Sequence, residues 1–484
     1  MQKYICTIIA TVLLLFSQSS MGQSASRGVK TPDFAYPKTV IKQSDKALSS
    51  AMRNGDDKTI VRSLLDYALA GSAIGNENIP KGIAKIDSVM GVSNDPVLRG
   101  MLSMLEAYIY NNVYAMNRWV YDQRNSPLEP VPADYDEWSG EQFRHRIESL
   151  LDVAIADSTA LRAVPLRDYK GVITQDRQTE VYYPTLYDFV ASQALTILEG
   201  WGNDGHCFPL WLARSSADSA ERFSVPSLKR DPRGEKILAI YSSLLSGVKR
   251  GSATDVNTRL ARLMFLRSNV AEGSDIRYSS INPYNSLSRS LYMELYESYL
   301  NDEGKPSTEY AGDILLEIPF YGEEDNNKGL YDTMTAFLNS WPGYWRRDCI
   351  KRSLNDMLRK RVNLNTPQVI APGREFDISV SLNNVERMTV DIYDVSSAPA
   401  WRDDYELKSV GSSARKIASL PVSVNGERVP FRVDRKIRYS FPKSGNYIVV
   451  PVVNGVAPKR ENYQKIHVTT VALGSSTFLD RTVW

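Results

Sequence analysis

The sequence has few of the side chains that build metal and redox sites. Its 484 residues include only three histidines and three cysteines. It contains no Cys-x-x-Cys pair and no His-x-x-x-His pair, and spacings of this kind are typical of zinc sites. His206 stands beside Cys207, but further ligands at suitable spacing are missing. We therefore expect neither a metal site nor a metal cofactor.

The small number of cysteines also limits the disulfides. One of the three, Cys6, lies in an N-terminal apolar segment, which leaves Cys207 and Cys349. In an oxidising compartment these two could form one disulfide. We favour two separate buried thiols, because free cysteine packs as a small hydrophobic residue. The sequence leaves both arrangements open.

Charge of one sign is not in excess. Lysine and arginine number 58 and aspartate and glutamate 56, so the formal net charge is +2. There is no basic block of the kind that neutralises phosphates, which excludes nucleic acid as a partner. The Arg359-Lys-Arg361 cluster is explained most simply as favourable charge at a helix C-terminus.

Catalytic signatures are missing as well. The sequence has no His-Glu-x-x-His, no Gly-x-Ser-x-Gly and no lysine-containing phosphate loop. Gly200–Gly205 matches the glycine pattern of dinucleotide sites, but a helix precedes it and Pro209 follows, so we interpret it as a helix end and a loop. A calcium loop starting at Glu324 would place Lys328 and Thr335 at ligand positions, which favours a solvated loop. We therefore expect no enzyme, no catalytic residues and no cofactor.

Long hydrophobic runs are confined to the N-terminus. Residues 1–23 contain one basic residue, Lys3, then the apolar run Tyr4–Phe16, then small and polar residues. This is the pattern of a secretory signal peptide, and the run is shorter than the roughly 20 residues that cross a bilayer. We expect an exported protein located in the periplasm, the cell envelope or the extracellular space, with no transmembrane segment after cleavage.

Residues 24–362 have the apolar period of helices, in segments separated by glycine, proline or asparagine. Ser139 and Gln142 form a predicted capping box, and Pro127, Pro130 and Pro132 indicate a surface linker over 124–139. The irregular spacing of roughly ten helices suggests a tetratricopeptide-like array. The predicted helices carry apolar faces that include Ile60–Ala68, Ile83–Met90, Val97–Ile109, Phe143–Ala154, Leu186–Leu198, Ile237–Val248, Val256–Met264, Leu287–Leu295 and Ile350–Leu358.

Two aromatic groups accompany these helices. Tyr292, Tyr296 and Tyr299 fall on helical spacing, and Trp341, Tyr344 and Trp345 precede the last predicted helix. Such groups can form a platform for sugars or peptides. The simpler interpretation is that they fill the gaps between packed helices.

The period changes to two in residues 363–474, which is typical of half-buried strands. We place the domain boundary at the linker Asn363–Pro367 and predict an antiparallel β-sandwich of seven strands. The seven apolar runs are Phe376–Leu382, Met388–Ile392, Leu420–Val424, Val429–Val433, Ile437–Phe441, Ile448–Val452 and Ile466–Val468.

Two segments resemble a known family. The run Thr366–Tyr393, with its Pro-Gly turn and the Asn384-Val385 pair, is similar to the first macroglobulin-type domain of large bacterial alpha-2-macroglobulin-like proteins. Tyr183–Leu195 is similar to the helical region that precedes this domain in Bacteroidetes members. The resemblance spans nearly the whole chain after the signal peptide, and it implies a fold of helical array followed by macroglobulin-type sandwich.

The resemblance also implies a function. Such proteins inhibit endopeptidases by entrapment, and many form a covalent link through a Cys-Gly-Glu-Gln thioester. Neither Cys207-Phe-Pro-Leu210 nor Cys349-Ile-Lys-Arg352 matches that motif. We therefore expect the N-terminal scaffold of an inhibitor without bait or thioester segments, with proteases as partners and 475–484 as the truncated start of a further strand or domain. The alternative is a cell-envelope module that binds a protein or a glycan without inhibition.

Overall fold

We describe a computed structural model of the protein. The structure describes residues 34–201, 206, 208–218, 231–270, 286–320, 327–396, 414–424, 430–456, 463–470, 476–478 and 481–483. The predicted signal peptide lies outside these residues. Within them, no helix is both long enough and apolar enough to cross a bilayer.

The described chain begins with helices and ends with strands, as the change of period predicts. The α-helices among the described residues are α1 (Pro37–Asn54), α2 (Asp57–Ile74), α3 (Ile79–Val92), α4 (Pro96–Met116), α5 (Arg118–Tyr121), α6 (Gly140–Ile155), α7 (Ser158–Arg162), α8 (Arg177–Tyr182), α9 (Leu186–Gly200), α10 (Leu210–Arg214), α11 (Pro232–Leu245), α12 (Ala253–Ser268), α13 (Ser286–Glu297), α14 (Ala311–Glu317), α15 (Lys328–Ser340) and α16 (Arg347–Met357).

Helix starts are fixed by side chains that cap free backbone amides. The predicted capping box is confirmed at α6: the Ser139 side chain accepts from the Gln142 amide, and the Gln142 side chain accepts from the Ser139 amide. α4 begins with Pro96 after Asp95, whose carboxylate accepts from two backbone amides of the first turn. The turn before α12 is closed by a hydrogen bond in which the Ser252 amide donates to the Lys249 carbonyl.

Most of the apolar positions predicted for these helices are buried or half-buried, although Met264 of α12 is 38% exposed. Five apolar residues of α9 at helical spacing are all at most 4% exposed, namely Leu186, Phe189, Val190, Ile197 and Leu198. The helix α9 is buried over most of its surface, which is typical of a helix enclosed by others. The predicted linker over 124–139 contains no α-helix, and Trp138 anchors it by stacking on Tyr110 of α4 at 5.3 Å between ring centroids.

The chain divides into two compact units. Of the described residues, the first unit holds those up to Val270 together with Leu291–Tyr299, and the second holds 286–290 and everything from Leu300 onwards. The helices α14, α15 and α16 therefore belong to the same unit as the strands. The change from helix to strand itself falls between Met357 and Arg361.

The strands form three sheets. A three-stranded antiparallel sheet has the order β1-β3-β6, a five-stranded mixed sheet has the order β2-β8-β7-β4-β5, and β9 pairs with β10. Only the β2–β8 pair among them is parallel. The strands are β1 (Arg361–Asn365), β2 (Val369–Ile370), β3 (Glu375–Asn383), β4 (Arg387–Asp394), β5 (Arg415–Ser423), β6 (Arg432–Ser440), β7 (Gly445–Val452), β8 (Gln464–Val468), β9 (Ser476–Phe478) and β10 (Arg481–Val483).

The three-stranded and five-stranded sheets share one hydrophobic core. Ile378 and Leu382 of β3 meet Val390 of β4, Val449 of β7 and Ile466 of β8 there. All five side chains are at most 1% exposed. Alternate residues on each strand are buried, and this burial produces the period-two apolar pattern in the sequence.

Two details of the strand prediction are wrong. The runs ending at Val433 and starting at Ile437 belong to one strand, β6, which pairs with β3 without interruption. The charged residues 434–436 suggested a turn, but β6 is an edge strand, where exposed charge is tolerated. Strand pairing also begins at Arg361, so residues 363–365 of the predicted linker belong to β1.

Candidate functional site

A cleft lies at one end of the strands in the second unit. Its volume is about 620 Å³, within the range of roughly 300–1,000 Å³ found for ligand sites. We call it the basic cleft, because its charged lining residues are all cationic. It is lined by Lys360, Arg361, Val362, Asn363, Ser381, Asn383, Val385, Arg432, Pro451, Val453 and Val456.

The register of the three-stranded sheet places the polar lining residues in rows. Arg361 pairs with Asn383, and Asn383 pairs with Arg432 on the other side. Residues paired in this way project from the same face of a sheet, and neighbouring strands lie about 4.8 Å apart. The two guanidinium groups therefore project from the same face at one end of the sheet, with an amide between them.

A second row follows two residues further along. Asn363 pairs with Ser381, which pairs with Asp434. The Ser381 hydroxyl donates to the Asp434 carboxylate at 2.5 Å, and that carboxylate lies 3.9 Å from Arg432 Nε. Asp434 is 61% exposed, so solvent screens its attraction for Arg432. The alternate residue Leu382 points into the core and is fully buried.

An apolar wall completes the cleft. Beyond β7, Val453 and Val456 exchange backbone hydrogen bonds of 3.1 and 2.9 Å. Asn454 and Gly455 between them have φ of 51° and 75°, the positive values that a tight type I′ turn requires and that asparagine and glycine tolerate. The turn leaves the Val456 side chain 69% exposed.

The parts of the basic cleft are tied together by Asn384, which follows β3. Its Nδ2 donates to the carbonyl oxygens of Met357 at 2.6 Å and Arg359 at 3.2 Å. Its Oδ1 accepts from the Phe431 amide at 2.8 Å. One buried side chain therefore fixes the segment leading to Lys360 and Arg361 as well as the start of β6.

This anchor corrects the interpretation of Arg359-Lys-Arg361 as charge at a helix C-terminus. The helix α16 ends at Met357, and its last turn contains no basic residue. The Met357 carbonyl, left free at the helix end, is satisfied by the Asn384 amide. Arg361 is already the first residue of β1, so Lys360 and Arg361 line the basic cleft.

The three histidines are not part of this site. His145 is exposed on α6, and His467 of β8 lies 2.6 Å from the Asn446 side chain. His206 is half-buried, with Nδ1 2.8 Å from Asp231 Oδ2. Burial tends to raise the pKa of Asp231, but hydrogen bonds from His206 and the Gly234 amide outweigh it and hold that pKa below its ordinary value. The described residues contain no group of three side chains suited to a metal ion.

The aromatic groups singled out in the sequence are mostly interior. Tyr292, Tyr296 and Tyr299 are each at most 3% exposed, and Tyr344 is 1% exposed. Tyr344 donates to Asp313 at 2.5 Å, and Trp341 donates to the Pro306 carbonyl at 3.1 Å. The three tyrosines fill space between helices, so they do not form an exposed binding platform.

A buried polar cluster lies in the first unit, and its members hold helices together. Arg259 and Arg262 of α12 are fully buried, and Asp255 accepts from Arg259 at 2.8 Å and from Tyr299 at 2.8 Å. Burial, together with the neighbouring charge of Arg259, lowers the pKa of Arg262 to about 9.

The remaining sequence features have simple outcomes. The helix α9 ends at Gly200 as predicted, while residues 202–205 of the glycine pattern lie outside the described residues. The same is true of 321–326 in the acidic loop and of Cys207. Cys349 carries a free, half-buried thiol, which accepts from the Arg352 guanidinium at 3.2 Å.

The chemistry that the basic cleft offers is binding. Its cations attract anions, its amides can both donate and accept hydrogen bonds, and its valines offer apolar contact. Histidine, cysteine and carboxylate are missing from the described lining residues. The Ser381 hydroxyl has a carboxylate partner, Asp434, at the rim of the cleft. Sequence reasoning missed this site because its residues come from four separate stretches of the chain.

Comparisons with known proteins did not identify a family for this chain. The chain matches no known protein-family model, and no match was found among curated proteins.

Proposed function

We propose that this chain is the N-terminal scaffold of an exported alpha-2-macroglobulin-like endopeptidase inhibitor, with proteases as its partners and no enzymatic activity of its own. The observation that carries the proposal is the order of the architecture. A long helical region leads directly into two β-sheets with a common core, and this is the order that the resemblance of Thr366–Tyr393 and Tyr183–Leu195 implies.

The proposal includes a macroglobulin-type sandwich of seven strands. The three-stranded and five-stranded sheets contain eight strands, of which β1 and β2 are separated by only three residues and lie in different sheets. Counted as one strand that changes sheet, they bring the total to the predicted seven. The common core of the two sheets supports this assignment.

The proposal also includes a tetratricopeptide-like array for the helical region. Successive helices contact each other from α1 to α4, and α11 contacts α12 in the same way. Contact between neighbours in sequence is what stacked helical hairpins produce.

The test of entrapment is size-selective inhibition. The protein, purified from its own cells, would be mixed with endopeptidases of different specificity. Enclosure of a protease blocks large substrates sterically but admits short peptides. We therefore expect hydrolysis of a large protein substrate to fall while hydrolysis of a short chromogenic peptide persists. Unchanged hydrolysis of both substrates would overturn the proposal, and so would equal inhibition of both.

A second function is favoured by the basic cleft, namely a cell-envelope binding module without inhibition. The two functions differ in what a protease does to the protein purified from its own cells. An inhibitor must be cut in a bait segment and change its shape, whereas a binding module retains its ligand uncut. Denaturing gels and hydrodynamic radii measured before and after protease addition distinguish them.

A further inference from the structure

We propose that the basic cleft binds an acidic peptide segment in an extended conformation, with apolar side chains of the peptide against the valine wall. The inference rests on the proposed binding role of this chain and names the ligand of that role.

The sign of the charge is the first argument. Lys360 and Arg361 are exposed, and Arg432 is 22% exposed. Carboxylate is missing from the described lining residues. Among the described residues, Asp434 at the rim lies near Arg432 and offsets part of its positive charge. Guanidinium groups bind carboxylates in a bidentate geometry, which favours glutamate or aspartate in the ligand.

The second argument is the arrangement of the polar atoms. Arg361, Asn383 and Arg432 form one row across the sheet, and Asn363 and Ser381 belong to the next. In an extended peptide every second side chain points the same way, so in a peptide that runs along the edge of β1 alternate acidic side chains face successive rows, one of them beside Arg361. The asparagine amides can pair with the backbone of the peptide.

The third argument is the edge of the sheet. β1 contributes Arg361, Val362 and Asn363 to the cleft, and it is an edge strand of the three-stranded sheet. Extended peptides bind such edges by adding a strand. The turn at Asn454–Gly455 holds Val453 and Val456 as an apolar surface at the same cleft.

The residues that line the basic cleft also disfavour glycans and nucleic acids as its ligands. Sugars and single-stranded bases stack on aromatic side chains, and the described lining residues include none. A peptide needs no such platform. Sulfated polysaccharide and single-stranded DNA are therefore competitors in the test.

The experiment measures fluorescence anisotropy of a labelled octapeptide of alternating glutamate and valine, titrated with the full chain. We expect saturable binding that weakens as salt increases, and no binding of the same peptide with lysine in place of glutamate. Lys360→Glu and Arg361→Glu should each weaken binding by about tenfold, because each replaces attraction with repulsion.

The matched control is Arg374→Glu. Arg374 is exposed and adjoins the opposite end of β3, about 23 Å from the lining residue Ser381 at 3.3 Å per residue. The control changes the net charge equally and should leave affinity within about twofold. A third variant, Val456→Asp, should weaken binding of the glutamate–valine peptide more than that of a glutamate–serine peptide. Circular dichroism of each variant verifies that it is folded.

Several results would overturn the inference: no binding by the unaltered chain, equal loss in the Arg374→Glu control, or binding of sulfated polysaccharide or DNA in preference to the peptide. Size-selective inhibition measured on the same preparations separates the two proposals. Inhibition without peptide binding removes this inference alone, and peptide binding without inhibition removes the inhibitor proposal alone.

Discussion

At the scale of single residues, Asn384 determines the geometry of the basic cleft. It is 5% exposed and has a φ of 54°, in the left-handed region that asparagine tolerates better than most residues. Its side chain makes three hydrogen bonds, to Met357, Arg359 and Phe431. Asparagine therefore supplies both the backbone conformation and the partners for three backbone groups.

We predict that Asn384→Ala lowers the free energy of unfolding by about 3 kcal/mol, because it leaves buried backbone groups without partners and strains φ. Asn384→Gly loses the same bonds but relieves the strain, so it should be about 1 kcal/mol less destabilising than alanine. Urea denaturation followed by tryptophan fluorescence, to which Trp341 and Trp345 of the same unit contribute, measures both. Equal urea midpoints for the Asn384→Ala variant and the unaltered protein would refute the anchoring role of Asn384.

At the scale of elements, α14 and α15 approach closely at Gly312. A Cβ atom at this position would lie 2.6 Å from Phe337 Cζ on α15 and 2.9 Å from Tyr344 Cε1. Both rings are at most 1% exposed, and Tyr344 is also held by its hydrogen bond to Asp313. The rings cannot move aside without disturbing the core, so the contact requires glycine.

Gly312→Ala should therefore destabilise the protein by about 2 kcal/mol through overpacking. Gly329 on α15 is the matched control, since a Cβ there would meet nothing within 4 Å. Gly329→Ala should stabilise by about 0.5 kcal/mol, because alanine favours the helix. Thermal unfolding of both variants provides the measurement, and a neutral Gly312→Ala would show that the two rings can yield.

Elements were predictable from sequence where a local rule acts alone. The capping box at Ser139 and the apolar face of α9 depend only on neighbours in the chain, and both predictions are confirmed. The single strand β6 was not predictable, because its charged residues are tolerated only as a result of its place at the sheet edge. The end of α16 depends on Asn384, a residue 27 positions away from Met357.

At the scale of the whole molecule, the change of apolar period predicted the order of helices and strands, but no pattern in the sequence predicted the basic cleft. Arg361, Asn383 and Arg432 become neighbours only through strand register. The composition did not indicate the site either, since the net charge of the chain is only +2 and the cations of the cleft become neighbours through strand pairing. Function prediction from motifs is therefore weakest for a binding site of this kind.

Another property of the whole helical unit is its response to pH. Glu106 of α4 is fully buried, and only its Oε1 is paired, at 2.7 Å from Arg146. Burial raises its pKa to about 7, against the opposing effect of Arg146 and with a further contribution from Asp87. Burial likewise raises the pKa of Glu199 to about 7, although the hydrogen bond from Tyr241 opposes this shift.

The direction of the pH effect follows from where the proton is held. Between pH 4.5, the ordinary pKa of glutamate, and about 7, the folded protein retains a proton on Glu106 that the unfolded chain has lost. Raising the pH through this window therefore favours unfolding, and the contribution of the protonated carboxyl is lost progressively. For Glu106 the change is about 3 kcal/mol, at about 1.4 kcal/mol per pKa unit.

We therefore predict that urea midpoints fall between pH 5 and pH 7, and that Glu106→Gln reduces this dependence, because glutamine remains neutral at both values. The exposed Glu129 provides the control, since Glu129→Gln removes an equal charge without a buried carboxyl and should retain the full pH dependence. Glu199→Gln should reduce the dependence further when it is combined with Glu106→Gln. A double variant that loses stability between pH 5 and pH 7 as steeply as the unaltered protein would show that neither carboxyl retains its proton in the folded state.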